Sequence, residues 1–348
     1  MRTSRLAHIA RIACATALLG CAGGDGREVV TVYSPHGDAL LKHYETAFEQ
    51  SRPDVDVQWV DMGSQEVLDR LRAERANPQA DVWFGAPSWM FERAGRDSLL
   101  EAYKPTWANL VPAESRDTGD LWYGTYMTPE VIAYAVEALD SAAAPQDWDD
   151  VLAPRWNQKI IIRDPVASGS MRAIWGAILL RSVARTGNTQ SGWDWLRMLD
   201  AQTKEYTLDG SLLVQKIGRQ EGLVTLYNMP DIAIRRLQDS IPIKYIIPKS
   251  GTPLLVDAIA IVKGTKHAAA ARAYYEFVTS RDAIVHAMNE FVRIPLRTDI
   301  SDDAMPPWLR SARPLLKAMP LDQKMMTDSL DTWMRYWDAN VRNRGRAK

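Results

Sequence analysis

Along this chain the spacing of apolar positions switches from strand-like to helical five times, and each switch falls on a loop rich in Gly, Pro or Ser. The first, REVVTVYSPHGDALLKHYETAFEQ, predicts a strand to about Tyr33, a loop from Ser34 to Asp38, and a helix with Leu40, Leu41, Tyr44 and Phe48 on one face. The second breaks at Met62-Gly63-Ser64 and the third at Gly85-Ala86-Pro87-Ser88. The fourth, KIIIRDPVASGSMRAIWGAILL, stops hard at Asp164-Pro165; its helix carries Met171, Ile174, Trp175, Ile178 and Leu179, with Gly187 as the stop. The fifth, EGLVTLYNMPDIAIRRLQ, breaks from Tyr227 to Asp231. Short strands alternating with helices predict an α/β fold of parallel-rich sheets covered by helices on both faces.

Two long stretches depart from this rhythm. LWYGTYMTPEVIAYAVEAL and IPIKYIIPKSGTPLLVDAIAIVKG are β-rich with no helix inside, and Ser250-Gly251-Thr252-Pro253 makes the second read as an out-and-back pair of strands. Two extended crossings predict two lobes joined by a two-strand hinge: residues 28–127 with 249–345, and residues 128–248. From Met305 on the chain reads as helical, with Trp333, Tyr336, Trp337 and Val341 on one face. In open parallel sheets a ligand sits beyond the carboxyl ends of the strands, so five such ends facing one another predict a clamp around a cleft.

The first twenty residues change the picture of where the chain works. Arg2, Arg5 and Arg11 flank a short apolar stretch, too brief to span a bilayer, that ends in Leu18-Leu19-Gly20-Cys21. Residues 1–20 read as a signal peptide with a lipobox-like end, Cys21 as a lipidated N-terminus anchored to a membrane, and 21–27 as a linker. When the three arginines leave, the 42 Lys and Arg fall to 39 against 43 Asp and Glu, so the mature chain is mildly acidic and no nucleic-acid partner is expected. The two cysteines are Cys14 and Cys21, so the folded part offers no thiol for catalysis or metal binding.

The candidate chemistry lies in the loops. Ser168-Gly169-Ser170 opens a helix, where unpartnered N–H groups and a partial positive charge suit an anion; a simple serine cap explains the same residues equally well. His36 sits in the first strand-end loop, as a ligand donor or as a solvated side chain, and Tyr227 and Asn228 end the fifth strand, as ligand donors or as core and turn residues. Asp257 stands inside an apolar strand, where a carboxylate is costly unless it is paired internally or meets a cationic ligand group. The thirteen tryptophans read mostly as core, and Asp147 to Asp150 as a helix start.

With these features in place, DWDDVLAPRWNQKIIIRDPVASGSMRA, GTPLLVDAIAIVKGTKHAAAARAYYEFVTSRDA and RIPLRTDI resemble segments of the extracellular solute-binding proteins of ABC importers, over roughly residues 28–300. The resemblance is to the branch of ferric-ion, 2-aminoethylphosphonate, sugar-phosphate and polyamine binders. It implies the two-lobed type II periplasmic binding protein fold, closing by hinge motion. It also implies a periplasmic or extracytoplasmic location, a monomer without cofactor or enzymatic activity, and partners in a permease and an ATPase. Carried over residue by residue, the ligand loops are Ser34 and His36, then Gly85, Ala86 and Ser88, then Ser168 to Ser170, and Tyr227 with Asn228. The expected cargo is a small organic anion: a phosphonate, phosphate ester or carboxylate. Ferric-ion binders present two adjacent tyrosines at the fifth strand's end. Here Tyr227 is followed by Asn228, so iron is the alternative cargo, and an enzyme on the same fold the more distant one. Relatives that act on thiamine do so through a cysteine, which this fold lacks.

Overall fold

A computed structural model describes residues 26–344. Residues 1–20, read above as a signal peptide, and Cys21 lie outside the described residues. The predicted alternation is present. β1 (Glu28–Ser34), α1 (Asp38–Ser51), β2 (Val55–Asp61), α2 (Ser64–Ala73), β3 (Val82–Pro87) and α3 (Ser88–Arg96) open the chain. After a short β4 (Leu100–Glu101) comes the long β5 (Tyr123–Ala135). Then follow β6 (Ile160–Arg163), α4 (Gly169–Thr186), α5 (Gln190–Gln202), β7 (Thr203–Thr207), α6 (Gly210–Gly218), β8 (Val224–Asn228), α7 (Met229–Gln238) and β9 (Ile243–Ile246). The chain returns through β10 (Leu254–Val262), α8 (Ala268–Val278), α9 (Arg281–Glu290), β11 (Ile294–Pro295), α10 (Pro307–Ala312) and α11 (Gln323–Asn340).

The strands lie in the order β2-β1-β3-β10-β5-β8-β6-β7. The outer groups, β2-β1-β3 and β8-β6-β7, are parallel; β10 and β5 run antiparallel between them. β5 serves both groups, pairing with β10 over Tyr123–Pro129 and with β8 over Glu130–Tyr134. Helices cover the faces because each carries an apolar stripe. In α1 that stripe is Leu40, Leu41, Tyr44 and Phe48, as the periodicity predicts, and α4 stops at Gly187 with φ 76°, a left-handed position that suits glycine.

Two expectations are corrected. β9 and β10 do not run out and back: both pair antiparallel with β5, at Ile132–Ala135 and Tyr123–Pro129, so they run in the same direction. Pairing both with β5 gives partners to backbone groups of that long strand which a hairpin between β9 and β10 would leave bare. In α11 the buried stripe is Met326, Leu330, Met334 and Trp337, continued by Val341; Tyr336 is 40% exposed and lies against Trp193. β7 (TKEYT) was missed, because five residues with a polar majority give little periodic signal.

Candidate ligand-binding site

The ends of the parallel strands of both groups face one polar cleft, as their topology requires. It has two connected chambers. The outer one holds about 300 Å³ and is walled by Asp61, Gly63, Asp209, Ser211 and Arg235. The inner one, about 40 Å³, lies beneath the start of α4. Pro35, Arg163, Tyr227 and Asp231 line both.

The α4 start is built as follows. Asp164-Pro165 ends β6; the Asp164 carboxylate then accepts from the Val166 N–H at 2.8 Å and turns the chain. Ser168 caps the helix, its Oγ accepting from the Met171 N–H at 3.3 Å. The cap therefore consumes the Met171 N–H and leaves Gly169 and Ser170 as the first-turn donors without intrahelical partners. Gly169 is required by close approach: a Cβ there would meet Ser64 Oγ at 2.9 Å and Pro87 at 3.1 Å, both from the opposite side of the cleft. Asn228 caps α7, accepting from the Asp231 N–H at 2.9 Å, and its amide donates to Ser170 Oγ at 3.2 Å.

On the facing wall β3 ends in a constrained turn. Gly85 and Ala86 both have positive φ, 94° and 110°, and a Cβ on Gly85 would lie 2.6 Å from His36 Nε2. A non-glycine residue in that conformation is strained, and such strain collects at binding sites. His36 itself is 7% exposed, set edge-on against Phe84 and Tyr126. Burial, helped by the Arg293 charge, holds its pKa well below the usual value, so the ring is neutral; Nε2 has no hydrogen-bond partner among the described residues.

Of the residues expected from the sequence, His36, Ala86, Ser168, Gly169, Ser170, Tyr227, Asn228 and Asp257 line the inner chamber. Ser34, Gly85 and Ser88 stand behind it: Ser34 is buried with Oγ accepting from the His36 N–H, Gly85 backs the His36 ring, and Ser88 is buried at the start of α3. Asp257 reaches the chamber because β10 shifts register there against both β3 and β5, a bulge that re-aims its side chain. The Thr128 hydroxyl donates to its Oδ2. Burial pushes its pKa up to about 6; Thr128 and the Arg293 charge oppose that rise and Asp231 adds to it.

Three charged groups escaped the sequence reading. Arg163 closes β6 and donates to Tyr227 Oη at 2.5 Å. Arg293 is 5% exposed; its Nη2 donates to the His36 carbonyl at 3.0 Å, lies 3.9 Å from Asp231, and its Nε has no hydrogen-bond partner among the described residues. Glu130, on β5 beside Asn228, is fully buried, and neither carboxyl oxygen has a well-formed hydrogen bond among the described residues; burial raises its pKa well above the carboxylate range, the nearby Ser170 hydroxyl opposes this weakly and Asp257 and Asp231 add to it. A charge closing an apolar strand was the available signal for Arg163, and a basic residue at the head of RIPLRTDI for Arg293. Among the described residues no group of three or more His, Cys, Asp or Glu is placed to hold a metal ion, and no helix is long and apolar enough to cross a membrane.

Strand ends from two sheet halves around a small polar cleft define a protein that holds a small solute. The chain belongs to the bacterial extracellular solute-binding protein family, whose profile matches residues 78–314. It is 27% identical over 318 residues to a probable ABC transporter periplasmic-binding protein of Sinorhizobium fredii, covering 90% of this chain and 87% of that one. It is 23% identical over 312 residues to a putative 2-aminoethylphosphonate-binding periplasmic protein of Salmonella typhimurium, covering 86% and 87%. Among solved structures, the periplasmic binding protein AfuA of Actinobacillus pleuropneumoniae, with fructose-6-phosphate bound, superposes with a TM-score of 0.79 at 22% identity over 92% of this chain and all of that one. The resemblance read from the sequence and its α/β binding-protein fold are thereby met. The family is one of binding proteins rather than enzymes.

Proposed function

We propose that this protein is the solute-binding component of an ABC importer and that its cleft takes a small organic anion, a phosphonate, phosphate ester or carboxylate, for delivery to a permease. The anionic group sits in the inner chamber. The observation that carries the reading is that two arginines, Arg163 and Arg293, line the same small chamber as the α4 start, and that the buried Arg293 Nε has no hydrogen-bond partner among the described residues. A guanidinium and first-turn N–H groups converging on one point suit an oxyanion. The relatives' 2-aminoethylphosphonate and fructose-6-phosphate are of this chemical class. The division into lobes 28–127 with 249–345 and 128–248, closing about β5 and the segment after β9, belongs to the same reading, as do export and lipidation at Cys21.

Iron fits less well. Hard Fe(III) asks for phenolate oxygen, whereas burial keeps the Tyr227 phenol neutral with its pKa raised, although Arg163 beside it works the other way. The residue after it is Asn228, which is occupied as the α7 cap.

Titration of the mature protein with 2-aminoethylphosphonate, fructose 6-phosphate, citrate and ferric citrate tests this, read by tryptophan fluorescence and by scattering. At least one organic anion should bind and reduce the radius of gyration. Ser170→Asp keeps an acceptable helix start. It should fold normally and lose affinity at least about tenfold, roughly 1.4 kcal/mol. Equal binding by the variant reduces the α4 start to a cap; a phenolate-to-iron band lost in Tyr227→Phe establishes iron instead.

A further inference from the structure

We propose that Asp257 sets the selectivity of the inner chamber by accepting a hydrogen bond from an oxyanion able to carry a proton, so that phosphonates and phosphate esters are taken and sulfonates and sulfate are turned away. This rests on the anion reading above.

The argument is one of donors and acceptors. Around the chamber the groups able to face an anion are mostly donors: the α4 first turn, the Ser170 hydroxyl, Arg163 and Arg293. Two carboxylates are the exceptions: Asp231, whose Oδ2 accepts from the Asn228 amide and whose Oδ1 lies 3.9 Å from Arg293, and Asp257. Asp257 is 7% exposed, it lines the same chamber, and among the described residues only its Oδ2 has a hydrogen-bond partner, the Thr128 hydroxyl. An ionised carboxylate is an acceptor only, and an anion set against it is repelled unless a proton lies between the two. A phosphonate or phosphate can bring or take up that proton near neutral pH. A sulfonate cannot.

The groups facing Asp257 leave this balance to the ligand. Arg293 and Arg163 supply two positive charges, Asp231 on α7 one negative charge, and Tyr227 a neutral phenol. His36 is neutral, and Glu130, one alternate position along β5 from Thr128, is held protonated by burial. With its own pKa near 6, Asp257 is mostly ionised in the empty site at pH 7 and mostly protonated at pH 5, where it becomes a donor and the discrimination fades.

Two matched pairs test the idea by calorimetry: inorganic phosphate against sulfate, and 2-aminoethylphosphonate against 2-aminoethanesulfonate, with wild type and Asp257→Asn at pH 7 and pH 5. Asparagine keeps an acceptor for Thr128 and offers the anion an N–H that needs no extra proton. Wild type should prefer the phosphorus member of each pair at least about tenfold at pH 7, the factor that corresponds to one pKa unit of difference in proton affinity. The preference should shrink at pH 5, and Asp257→Asn should show little at either pH. If wild type binds both members of a pair equally at pH 7, the inference fails and the anion reading stands. If the variant weakens both amino compounds alike and leaves the inorganic pair unchanged, Asp257 reads an amine, and the inference again fails. If none of the four binds at millimolar concentration, the inference fails, and it takes the oxyanion reading with it when fructose 6-phosphate and citrate fail to bind as well.

Discussion

Asp331 on α11 ties two distant parts of the molecule together, and its removal should cost more than an ordinary ion pair. Arg93 of α3 and Arg172 of α4 both hold this one carboxylate, Arg172 Nη1 at 2.7 Å. The Arg172 side chain is 5% exposed, Arg93 13% and Asp331 26%. Breaking a buried pair typically costs about 3–5 kcal/mol, because a charge is left without a partner, whereas an exposed pair is worth about 0–1. Asp331 is a quarter open to water, but Asp331→Ala would strand two guanidiniums beside each other. Among the described residues Arg172 would keep only its bonds to the Val166 carbonyl, at 3.0 and 2.7 Å. We therefore expect a loss of about 2–3 kcal/mol, between those limits. Asp331→Asn, which keeps one acceptor, should fall between wild type and alanine. Urea unfolding followed by tryptophan fluorescence and far-UV circular dichroism gives the number. The pH dependence follows from sign. The hydrogen bonds and charges of Arg93 and Arg172 outweigh the burial of Asp331 and depress its pKa below the carboxylate range. Its contribution is thus complete above the unfolded value near 4 and is lost as pH falls toward the folded value. The gap between wild type and variant should close below about pH 4. A loss under about 0.5 kcal/mol at pH 7 would refute the reasoning, since it would class the triad with surface pairs.

Two further outcomes are expected. Glu130 titrates in the opposite sense: its folded pKa is raised, so the folded state holds a proton that the unfolded chain releases, and stability falls as pH rises above about 4.5. Glu130→Gln should remove that slope, and identical urea midpoints against pH in variant and wild type would show that Glu130 is not held protonated. For the anchor, Cys21→Ser should release the protein from membranes without changing its unfolding curve; a wild type already soluble in the cell extract would exclude lipidation.

Most of the architecture was legible because it is written locally. The strand-to-loop-to-helix units at Ser34, Gly63, Gly85, Ser168 and Tyr227 depend on neighbouring residues alone: proline removes a donor, glycine permits a turn, serine caps a helix. So does the inward stripe of α1. The site was legible only as a set of loops. Of the even choice at Ser168 between cap and anion contact, the structure shows the cap, and the anion contact stays with the proposal, for which Gly169 and Ser170 line the chamber.

By itself, then, the chain determined most of the segments that become strands and helices and the loops that end them, because dihedral preferences and hydrophobic period act over a few residues. Only the tertiary structure decided which charges meet. Arg293 comes to the His36 carbonyl across 257 positions of sequence, Asp257 is turned inward by a bulge that its neighbours on both sides impose, and Asp331 finds Arg93 and Arg172 on separate helices. The direction of β9 and β10 was likewise set by the free edges of β5, and the buried face of α11 by the surfaces of α3 and α4. Coulombic energies and burial costs depend on distance in space and on access to water, and neither quantity is defined until the chain has closed on itself.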